Sequence, residues 1–299
     1  MPEKEIKLPD HEFRLLSDLI RDYCGISFDE SSRFLLEKRL ARRLESRHLD
    51  NFRDYYRLLL YDRDRAEELT AVLDLITVNE TYFFREMSQL QAFSEEIVPE
   101  MLGSVPRGRK LRIWSAGCST GEEPYTLAML LLEKGVPSRG QEIEIIASDI
   151  NQRVLQAARR GVYRKNSFRT TSEYYIKKYF EPEDENTMRI KDEVKRNVTF
   201  SCINLLDSVK IGLVGTVDII FCRNVLIYFG QDARKAVARS FYERLADTGF
   251  LLLGHAESLM SITADFNLRH LKRDMVYQKP QKKASGESAG AGALRGRAV

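Results

Sequence analysis

The sequence predicts an α/β protein in which a largely parallel, doubly wound sheet follows an all-α N-terminal module. Three stretches support this fold class. An apolar strand at 111–114 runs into a glycine loop and a helix, a second strand at 142–148 ends at Asp149, and a fully apolar strand lies at 217–222. Strands that alternate with helices in this way are typical of sheets that bind a ligand at the carboxyl edge of their strands.

Length, composition and charge narrow the class of protein. With 299 residues, 43% hydrophobic and 30% charged, the chain is expected to be soluble, with one large and one smaller domain. The net charge of +3 is too small to indicate a nucleic-acid partner by itself. There is no signal peptide and no apolar run of the ~20 residues that span a membrane, so we expect a cytoplasmic protein. Scattered cysteines and histidines predict reduced thiols and no metal site.

Residues 1–77 are predicted to form an N-terminal module of about four helices. Asp10 is expected to cap the first helix, because short polar side chains satisfy free backbone N–H groups there. Further helices are predicted at 31–49, 52–61 and 66–76, where apolar residues recur at helical spacing. The module is too apolar to be a linker and carries no catalytic pattern.

The predicted helix at 31–49 concentrates positive charge. Its basic residues include Lys38, Arg39, Arg42, Arg43 and Arg47. Three of these arginines recur every four residues and therefore share one face of the helix. A solvated face is the ordinary explanation for a charge run. Few acidic residues offset this one, which favours an acidic partner surface, either protein or nucleic acid.

Residues 78–110 are predicted to link the two domains through a short segment and a helix at 89–101. Helical periodicity breaks at 77–87, TVNETYFFREM, where polar residues precede three aromatic residues. The aromatic residues could plug a seam between domains. The polar residues beside them could bind a ligand there, since clefts between domains favour ligand sites.

Residues 111–280 are predicted to form the main domain, with a β-subdomain inserted at about 162–197. The insertion is expected to have a partly helical start and a small antiparallel hairpin. The strand at 217–222 ends in Arg223 and Asn224, which places these polar residues on the ligand face. The chain continues with a helix at 231–246, a strand at 249–254, an antiparallel pair at 266–279 and a Gly/Ala/Ser-rich tail at 281–299 that is predicted to be disordered.

The glycine loop from Gly117 to Gly121 differs from a phosphate-binding turn. The dinucleotide pattern GxGxxG is not intact, and a Walker lysine is absent. Glu122 and Glu123 follow directly, and carboxylates at a helix start would repel phosphates. They suit the cationic amino and sulfonium groups of S-adenosylmethionine, while Asp149 is placed to accept hydrogen bonds from a ribose. S-adenosylmethionine is therefore favoured as the cofactor, and NAD is the alternative.

Six segments of the chain resemble the bacterial chemotaxis receptor methyltransferases, which methylate glutamate side chains of receptors. The segments occur in the order of that family over about 13–279, which makes the resemblance more specific than a single glycine loop. They are NETYFFRE (79–86), IWSAGCSTGEEPYT (113–126), ASDI (147–150), NLL (204–206), FCRNVLIYF (221–229) and GHAESL (254–259).

The resemblance implies a Rossmann-like S-adenosylmethionine-dependent methyltransferase sheet of seven strands, with a small antiparallel β-subdomain and an all-α N-terminal domain. The implied reaction methylates receptor glutamates for sensory adaptation and yields glutamate methyl esters and S-adenosylhomocysteine. The implied partner is the cytoplasmic helical bundle of methyl-accepting chemotaxis receptors, which the arginine-rich helix would meet. We expect a monomer that has no transmembrane segment and does not act on nucleic acid.

The resemblance also implies site residues. Positions that match the cofactor site are Asn79, Thr81, Arg85, Glu123, Asp149, Asn204, Leu205, Arg223 and Asn224. Arg85 and Tyr228 match positions near the transferred methyl group. Arg85 is expected to orient the substrate, and Tyr228 to provide a hydrogen bond or a wall. Two residues have simpler explanations, Arg223 as an ion-pair residue at the sheet edge and Asn204 as the cap of a turn.

One departure from the family bears on partner binding. Members that dock on a peptide at the receptor's C-terminal end carry a glycine-containing loop in the β-subdomain, whereas 181–197 contains no glycine and is shorter. We therefore predict binding without such a tether. Two rival functions are a nucleic-acid methyltransferase, although the [DNS]-PP-[YF] box of that class is absent, and a non-catalytic module that senses the cofactor and binds an acidic protein.

Overall fold

A computed structural model describes residues 6–281 of the chain, apart from residues 105 and 107. The predicted disordered tail therefore lies, from residue 282 onward, outside the described residues. The N-terminal module consists of α1 (Asp10–Cys24), α2 (Arg33–Ser46), α3 (Phe52–Tyr61) and α4 (Arg65–Ile76). Its predicted helices are confirmed, with bounds that differ by at most three residues.

The four helices pack around a core of their own. Each helix contributes a fully buried side chain, namely Leu16, Leu40, Tyr55 and Val72. The start of α1 differs from the prediction, because Phe13 N–H donates to the Pro9 carbonyl at 2.9 Å and the helix is capped at Pro9. Asp10 is already helical, so its prediction as the cap is wrong. Its carboxylate forms an ion pair with Arg33 instead.

The link to the main domain begins with a non-helical segment at 77–86. Two of its residues adopt left-handed backbone angles, Phe84 with a φ of 59° and Glu86 with a φ of 57°. Such angles are uncommon for residues other than glycine and mark a segment whose shape is fixed by its surroundings. The chain then forms α5 (Met87–Ala92), a π-helical turn (Phe93–Ile97) and α6 (Val98–Ser104).

From residue 111 the chain alternates strands and helices, as predicted. In order they are β1 (Leu111–Ala116), α7 (Glu122–Glu133), β2 (Ile143–Asp149), α8 (Gln152–Arg160), β3 (Val162–Arg164), α9 (Glu173–Tyr179), β4 (Phe180–Pro182), β5 (Thr187–Ile190), α10 (Asp192–Lys195), β6 (Val198–Cys202), α11 (Ser208–Gly212), β7 (Val217–Cys222), α12 (Gln231–Arg244), β8 (Leu245–Leu253), β9 (Asn267–His270) and β10 (Met275–Gln278).

Seven strands form one sheet in the order β6-β2-β1-β7-β8-β10-β9. The first five are parallel, and β10 is antiparallel to both of its neighbours. Successive residues of β1 point to opposite faces, so Ile113 joins one apolar core and Trp114 joins the other. Because β2 and β7 flank β1, the chain reverses its winding there and leaves a crevice at the carboxyl edge. The seven-stranded α/β fold is confirmed.

The inserted segment forms a second sheet, in which three antiparallel strands lie in the order β3-β5-β4. It is larger than the predicted hairpin because β3 pairs with β5 as an additional edge strand. Phe83 from the linking segment inserts into this subdomain, with its ring centroid 4.8 Å from that of Tyr163 and 5.0 Å from that of Phe180. One of the linker aromatics therefore plugs a seam.

Candidate functional site

The carboxyl edge of the sheet and the N-terminal module enclose a cleft with a cavity of about 250 Å³. The loops after β1, β2, β6 and β7 form one wall. The connection between α1 and α2, the first half of α2 and the linking segment at 77–85 form the rest. Every residue predicted for cofactor binding or catalysis lines this cleft: Asn79, Thr81, Arg85, Glu123, Asp149, Asn204, Leu205, Arg223, Asn224 and Tyr228.

The glycine loop after β1 has a backbone that only small residues allow. Gly117 has a φ of 85°, and its N–H donates to the Ser148 carbonyl at 2.7 Å. A Cβ at this position would lie 2.3 Å from Cγ2 of Val225, so the β7 loop packs directly on the glycine. Ser119 has a φ of 49°, and its N–H donates to Oδ2 of Asp149 at 2.8 Å.

Asp149 is buried at the end of β2 and lines the cleft. Its two carboxylate oxygens accept the backbone N–H groups of Ser119 and Asn151, at 2.8 and 2.9 Å. Burial raises the pKa of Asp149, and these N–H groups oppose the shift. Each oxygen has a further lone pair, so the carboxylate can still accept a hydroxyl donor such as those of a ribose.

The two glutamates at the start of α7 point in different directions. Glu123 lines the cleft, where Oε1 accepts from the Ser115 hydroxyl at 2.7 Å. Glu122 is buried outside it, with its oxygens bound to the hydroxyls of Thr120 and Ser167. Burial raises the pKa of both carboxyls. The expectation that both glutamates face a cationic ligand is therefore wrong for Glu122, and only Glu123 is in position.

Arg223 connects three parts of the cleft wall. Its side chain is 3% exposed and lies 2.9 Å from Glu86 and 3.4 Å from Glu123. It also donates to the Arg85 carbonyl at 2.6 Å. Burial opposes ionisation of Glu86, but the charge and hydrogen bond of Arg223, together with His255 and Asn224, outweigh burial and lower the pKa of Glu86. The ion-pair explanation of Arg223 thus describes its contacts, and the residue lines the cleft as well.

Arg85 and its neighbours form a cationic and aromatic rim. Arg85 donates to the Glu80 carbonyl at 3.0 Å and lies 5.8 Å from the ring centroid of Tyr82. Arg169 of the β-subdomain stacks 3.6 Å from the same centroid and forms a 3.1 Å ion pair with Glu80. The cation–π and ionic contacts of Arg169 therefore tie the linking segment to the β-subdomain.

Asn204 contributes to the cleft mainly by holding its walls together. Its Nδ2 donates to the Tyr23 carbonyl at the end of α1 at 2.6 Å, and its Oδ1 accepts the Leu206 N–H at 3.0 Å. The turn-cap explanation therefore accounts for one end of the side chain. Tyr228 lies at the rim, 36% exposed, and its carbonyl accepts the Ser27 N–H at 2.9 Å.

Glu257 supports the cleft from behind a lining loop, a role that the sequence does not predict. It lies in the loop after β8, and its carboxylate accepts backbone N–H groups from the loop that carries Arg223 to Tyr228. Glu257 lies in the GHAESL segment, one of the six segments that resemble the family, but the resemblance implies no role for this glutamate. Nothing in the local pattern indicates that this carboxylate contacts a loop 30 residues earlier.

The structure divides the basic residues of α2 into two groups. Lys38 and Arg42 are exposed. Arg43 and Arg47 are half-buried and donate to Glu68 of α4 at 2.6–2.7 Å. Arg39 donates to the Ile76 carbonyl at 2.5 Å and lines the cleft. The face that combines Arg39, Arg43 and Arg47 is therefore largely occupied by contacts within the chain, contrary to the expectation that few acids offset it.

The described residues contain neither a metal site nor a membrane-spanning helix. Among residues 6–281, no three His, Cys, Asp or Glu side chains are grouped so that they could hold a metal ion. No helix in this part of the chain combines the length and apolar character needed to cross a bilayer. Cys24, Cys118, Cys202 and Cys222 are free thiols.

The cleft residues fit S-adenosylmethionine. A glycine loop permits close backbone approach, Asp149 can accept ribose hydroxyls, and Glu123 offers a carboxylate to a cationic group. The Oδ1 atom of Asn224 is buried without a hydrogen-bond partner among the described residues, and so can accept from a ligand donor. With the seven-stranded sheet, these features define an S-adenosylmethionine-dependent methyltransferase.

Comparisons with known proteins identify the family. Residues 79–275 match the model described as CheR methyltransferase, SAM binding domain, and residues 11–77 match CheR methyltransferase, all-alpha domain. The chain belongs to the CheR methyltransferase family. The predictions of the family, the fold and the cofactor are therefore confirmed.

Curated relatives are similar over nearly their full length. Chemotaxis protein methyltransferase 2 of Vibrio cholerae is 38% identical over 95% of this chain and 98% of its own. The chemotaxis protein methyltransferase of Salmonella typhimurium is 34% identical over 89% of this chain and 90% of its own. That of Escherichia coli is also 34% identical, over 89% of this chain and 91% of its own.

Proposed function

We propose that the protein is a protein-glutamate O-methyltransferase that acts on the cytoplasmic helical bundle of methyl-accepting chemotaxis receptors. The products would be glutamate methyl esters and S-adenosylhomocysteine. The observation that carries the proposal is the placement of the glycine loop, Asp149 and Glu123 in one cleft with Arg85 and Tyr228. The names of the relatives supply the substrate class.

The main task of the protein in this reaction is to align the methyl group of the cofactor with the acceptor carboxylate. When bound, the cofactor supplies a methyl group attached to a positively charged sulfur. The acceptor carboxylate is already ionised at neutral pH, so no general base is needed. Alignment can supply about 7–11 kcal/mol in favourable cases. Transfer neutralises both charges, so a strong ion pair to the acceptor would stabilise the ground state and slow the reaction.

The charges of the cleft support a cationic cofactor. Glu86 and Glu123 both lie against Arg223 and offset its charge, and Asp149 adds another carboxylate. Burial raises the pKa of Glu123, and a cation beside it would favour the ionised form. We assign Glu123 to the amino or sulfonium group and Asp149 to the ribose.

Arg85 and Tyr228 are assigned to the acceptor side of the cleft. Arg85 is half-buried and anchored through the Glu80 carbonyl, which suits a residue that orients a carboxylate without full charge pairing. Tyr228 is 36% exposed at the rim, where its hydroxyl can donate to the acceptor or its ring can exclude water. These are the two residues that we place next to the transferred methyl group.

We assign receptor binding chiefly to Lys38 and Arg42, with Arg39 at the cleft. Lys38 and Arg42 are exposed on α2, and an acidic helical bundle would complement their charge. The β4–β5 connection, which carries Glu183 and Asp184, contains no glycine, in support of binding without a receptor-tail tether. Tight binding of a receptor C-terminal peptide in calorimetry would contradict the tether-independent mode.

The test is methyl transfer from labelled cofactor to receptor membranes of the same organism, followed by peptide mapping. Base-labile label on receptor glutamates is expected, because carboxyl methyl esters hydrolyse in base. Label on RNA would support a nucleic-acid methyltransferase instead, and cofactor binding without transfer would support a sensing module. Arg85→Ala serves as the comparison variant. It should transfer poorly even at a concentration of cofactor that saturates the site, and full transfer would remove the orienting role.

A further inference from the structure

The carboxylate of Glu257 is surrounded by backbone N–H groups. Oε2 accepts the N–H of Asn224 at 2.8 Å and of Gly254 at 2.7 Å. Oε1 accepts the N–H of Val225 at 2.9 Å and of Ile227 at 3.2 Å. Four backbone donors that converge on one anion resemble the concave sites at which proteins bind free anions. Here the anion is supplied by the chain itself.

Three of these donors belong to the loop after β7, whereas the fourth, Gly254, lies just before Glu257 in the loop after β8. Asn224 follows the end of β7 with a φ of 59°, in the left-handed region. Its amide packs against Gly254, where a Cβ would lie 2.7 Å from Nδ2 of Asn224. The Asn224 Oδ1 atom is buried without a hydrogen-bond partner among the described residues, and Asn224 lines the cleft. The contacts with Gly254 and Glu257 tie Asn224 to the loop after β8.

We infer that Glu257 is a positioning residue that acts as a built-in anion and fixes the loop from Asn224 to Tyr228 in the form that receives the cofactor. Charge-assisted hydrogen bonds are stronger than those between neutral groups. Three of them, from Asn224, Val225 and Ile227, give this loop one defined conformation, and the fourth, from Gly254, fixes the carboxylate in its own loop. Asn224 then presents its free oxygen to a donor of the cofactor, and Val225 packs on Gly117 of the opposite loop.

The inference concerns cofactor binding and does not depend on which molecule accepts the methyl group. Its test therefore uses S-adenosylhomocysteine, which can be titrated without any receptor. If the receptor is not methylated, the measured affinities for S-adenosylhomocysteine still stand. If the affinities do not change in the variants, receptor methylation can still be tested.

The decisive variant is Glu257→Ala, which should leave an empty anion site lined by four N–H groups. We expect its dissociation constant for S-adenosylhomocysteine to rise about tenfold or more in calorimetry. Added formate, which replaces the lost carboxylate, should restore part of the affinity, whereas chloride at equal ionic strength should not. In ¹⁵N spectra, formate should shift the amide signals of Asn224, Val225, Ile227 and Gly254 in this variant and not in the wild type.

Two comparison variants separate charge from shape and from general effects. Glu257→Gln keeps the volume but turns an NH₂ group toward N–H donors, so it should lose affinity and should not respond to formate. Glu243→Ala removes an exposed glutamate of α12 that pairs only with Arg239 among the described residues, and should behave as the wild type. Wild-type affinity in Glu257→Gln would overturn the inference even if Glu257→Ala failed to fold. A folded Glu257→Ala variant that formate neither rescues nor shifts would overturn it as well.

Discussion

Gly117 combines a left-handed backbone with direct packing against Val225 of the β7 loop. In Gly117→Ala the new Cβ would lie 2.3 Å from Val225, so either the glycine loop or the β7 loop must move. We expect the affinity for S-adenosylhomocysteine to fall about 10- to 100-fold, which corresponds to about 1–3 kcal/mol of overpacking. Calorimetry measures the affinity, and a melting curve shows that the fold persists.

The matched control is Gly135→Ala. Gly135 also has a positive φ, 62°, but a Cβ there would meet no atom within 4 Å. Both variants therefore carry similar backbone strain, and only Gly117→Ala carries the clash. Equal affinities in the two variants would show that the packing of the two loops does not matter for the cofactor.

The hydroxyl of Tyr228 is predicted to contribute to transfer and not to cofactor binding. Tyr228→Phe retains the ring at the rim and removes one hydrogen bond of about 1 kcal/mol. We expect kcat to fall about three- to tenfold while the affinity for S-adenosylhomocysteine stays unchanged. Single-turnover transfer with labelled cofactor measures the rate, and a wild-type rate would leave the residue a packing role alone.

The sequence predicts cleft residues where chemistry and position coincide. Glu123 and Asp149 follow a glycine loop and a strand end, and the edge of a parallel sheet brings such positions together. It does not predict where Glu122 points, since both glutamates begin the same helix and only packing distinguishes them. The role of Glu257 is not predicted for another reason. Its partners are backbone N–H groups, which every residue except proline carries, so the residue pattern does not indicate them.

Of the basic residues of α2, the exposed pair Lys38 and Arg42 is predicted to bind the receptor. Reversing the exposed pair with Lys38→Glu and Arg42→Glu should raise the KM for receptor membranes about tenfold, because charge complementarity governs encounter. The melting temperature and the affinity for S-adenosylhomocysteine should not change. The same reversal at the exposed α12 residues Lys235 and Arg239 is the control, and an equal rise in KM there would argue against α2.

Glu68 joins α2, α3 and α4 and makes the stability of the module dependent on pH. Burial opposes its ionisation, but hydrogen bonds from Arg43, Tyr55 and Arg47 outweigh burial and lower its pKa from 4.5 to about 2. The unfolded chain therefore binds this proton more readily than the folded one. The stabilising contribution is present above about pH 4.5 and is lost as the pH falls toward 2.

The corresponding measurement is urea unfolding of the wild type and Glu68→Gln between pH 3 and pH 7. The difference in free energy of unfolding should be about 3 kcal/mol at neutral pH and shrink as the solution becomes acidic. Glu45→Gln, at an exposed position of α2, should show little difference at any pH. A difference between wild type and Glu68→Gln that is constant with pH would mean that the carboxylate charge is not what stabilises the module.

The contacts of Glu68 with Arg43 and Arg47 show why the sequence does not predict which basic residues of α2 are free to bind a partner. The sequence locates the basic stripe on a helix predicted at 31–49, and α2 spans Arg33–Ser46. Whether a stripe faces solvent or a buried acid depends on helix packing. Glu68 lies 25 residues after Arg43, and the intervening helix α3 determines that they meet. A charge count within one helix cannot contain that information.

In the whole molecule, residues of both the N-terminal module and the main domain line the cleft. The hydrogen bonds between the N-terminal module and the sheet edge include Ser27 N–H to the Tyr228 carbonyl, Gly230 N–H to the Gly25 carbonyl and Asn204 to the Tyr23 carbonyl. On the other side of the cleft, Asp74 of α4 accepts the Gln152 N–H at 3.0 Å. Residues of the α1–α2 connection and of α2, among them Phe28 and Arg39, line the cavity. A bound cofactor should therefore order both domains together.

Hydrogen exchange tests this coupling. S-adenosylhomocysteine is expected to slow amide exchange at 25–35 in the N-terminal module as well as at 117–123 and 223–228 in the main domain, because both sets of segments enclose the cavity. In Asn204→Ala, which removes the hydrogen bond to Tyr23, protection at 25–35 should weaken more than protection at 117–123. If cofactor slows exchange only in the main domain, the N-terminal module is a receptor-binding attachment and takes no part in holding the cofactor.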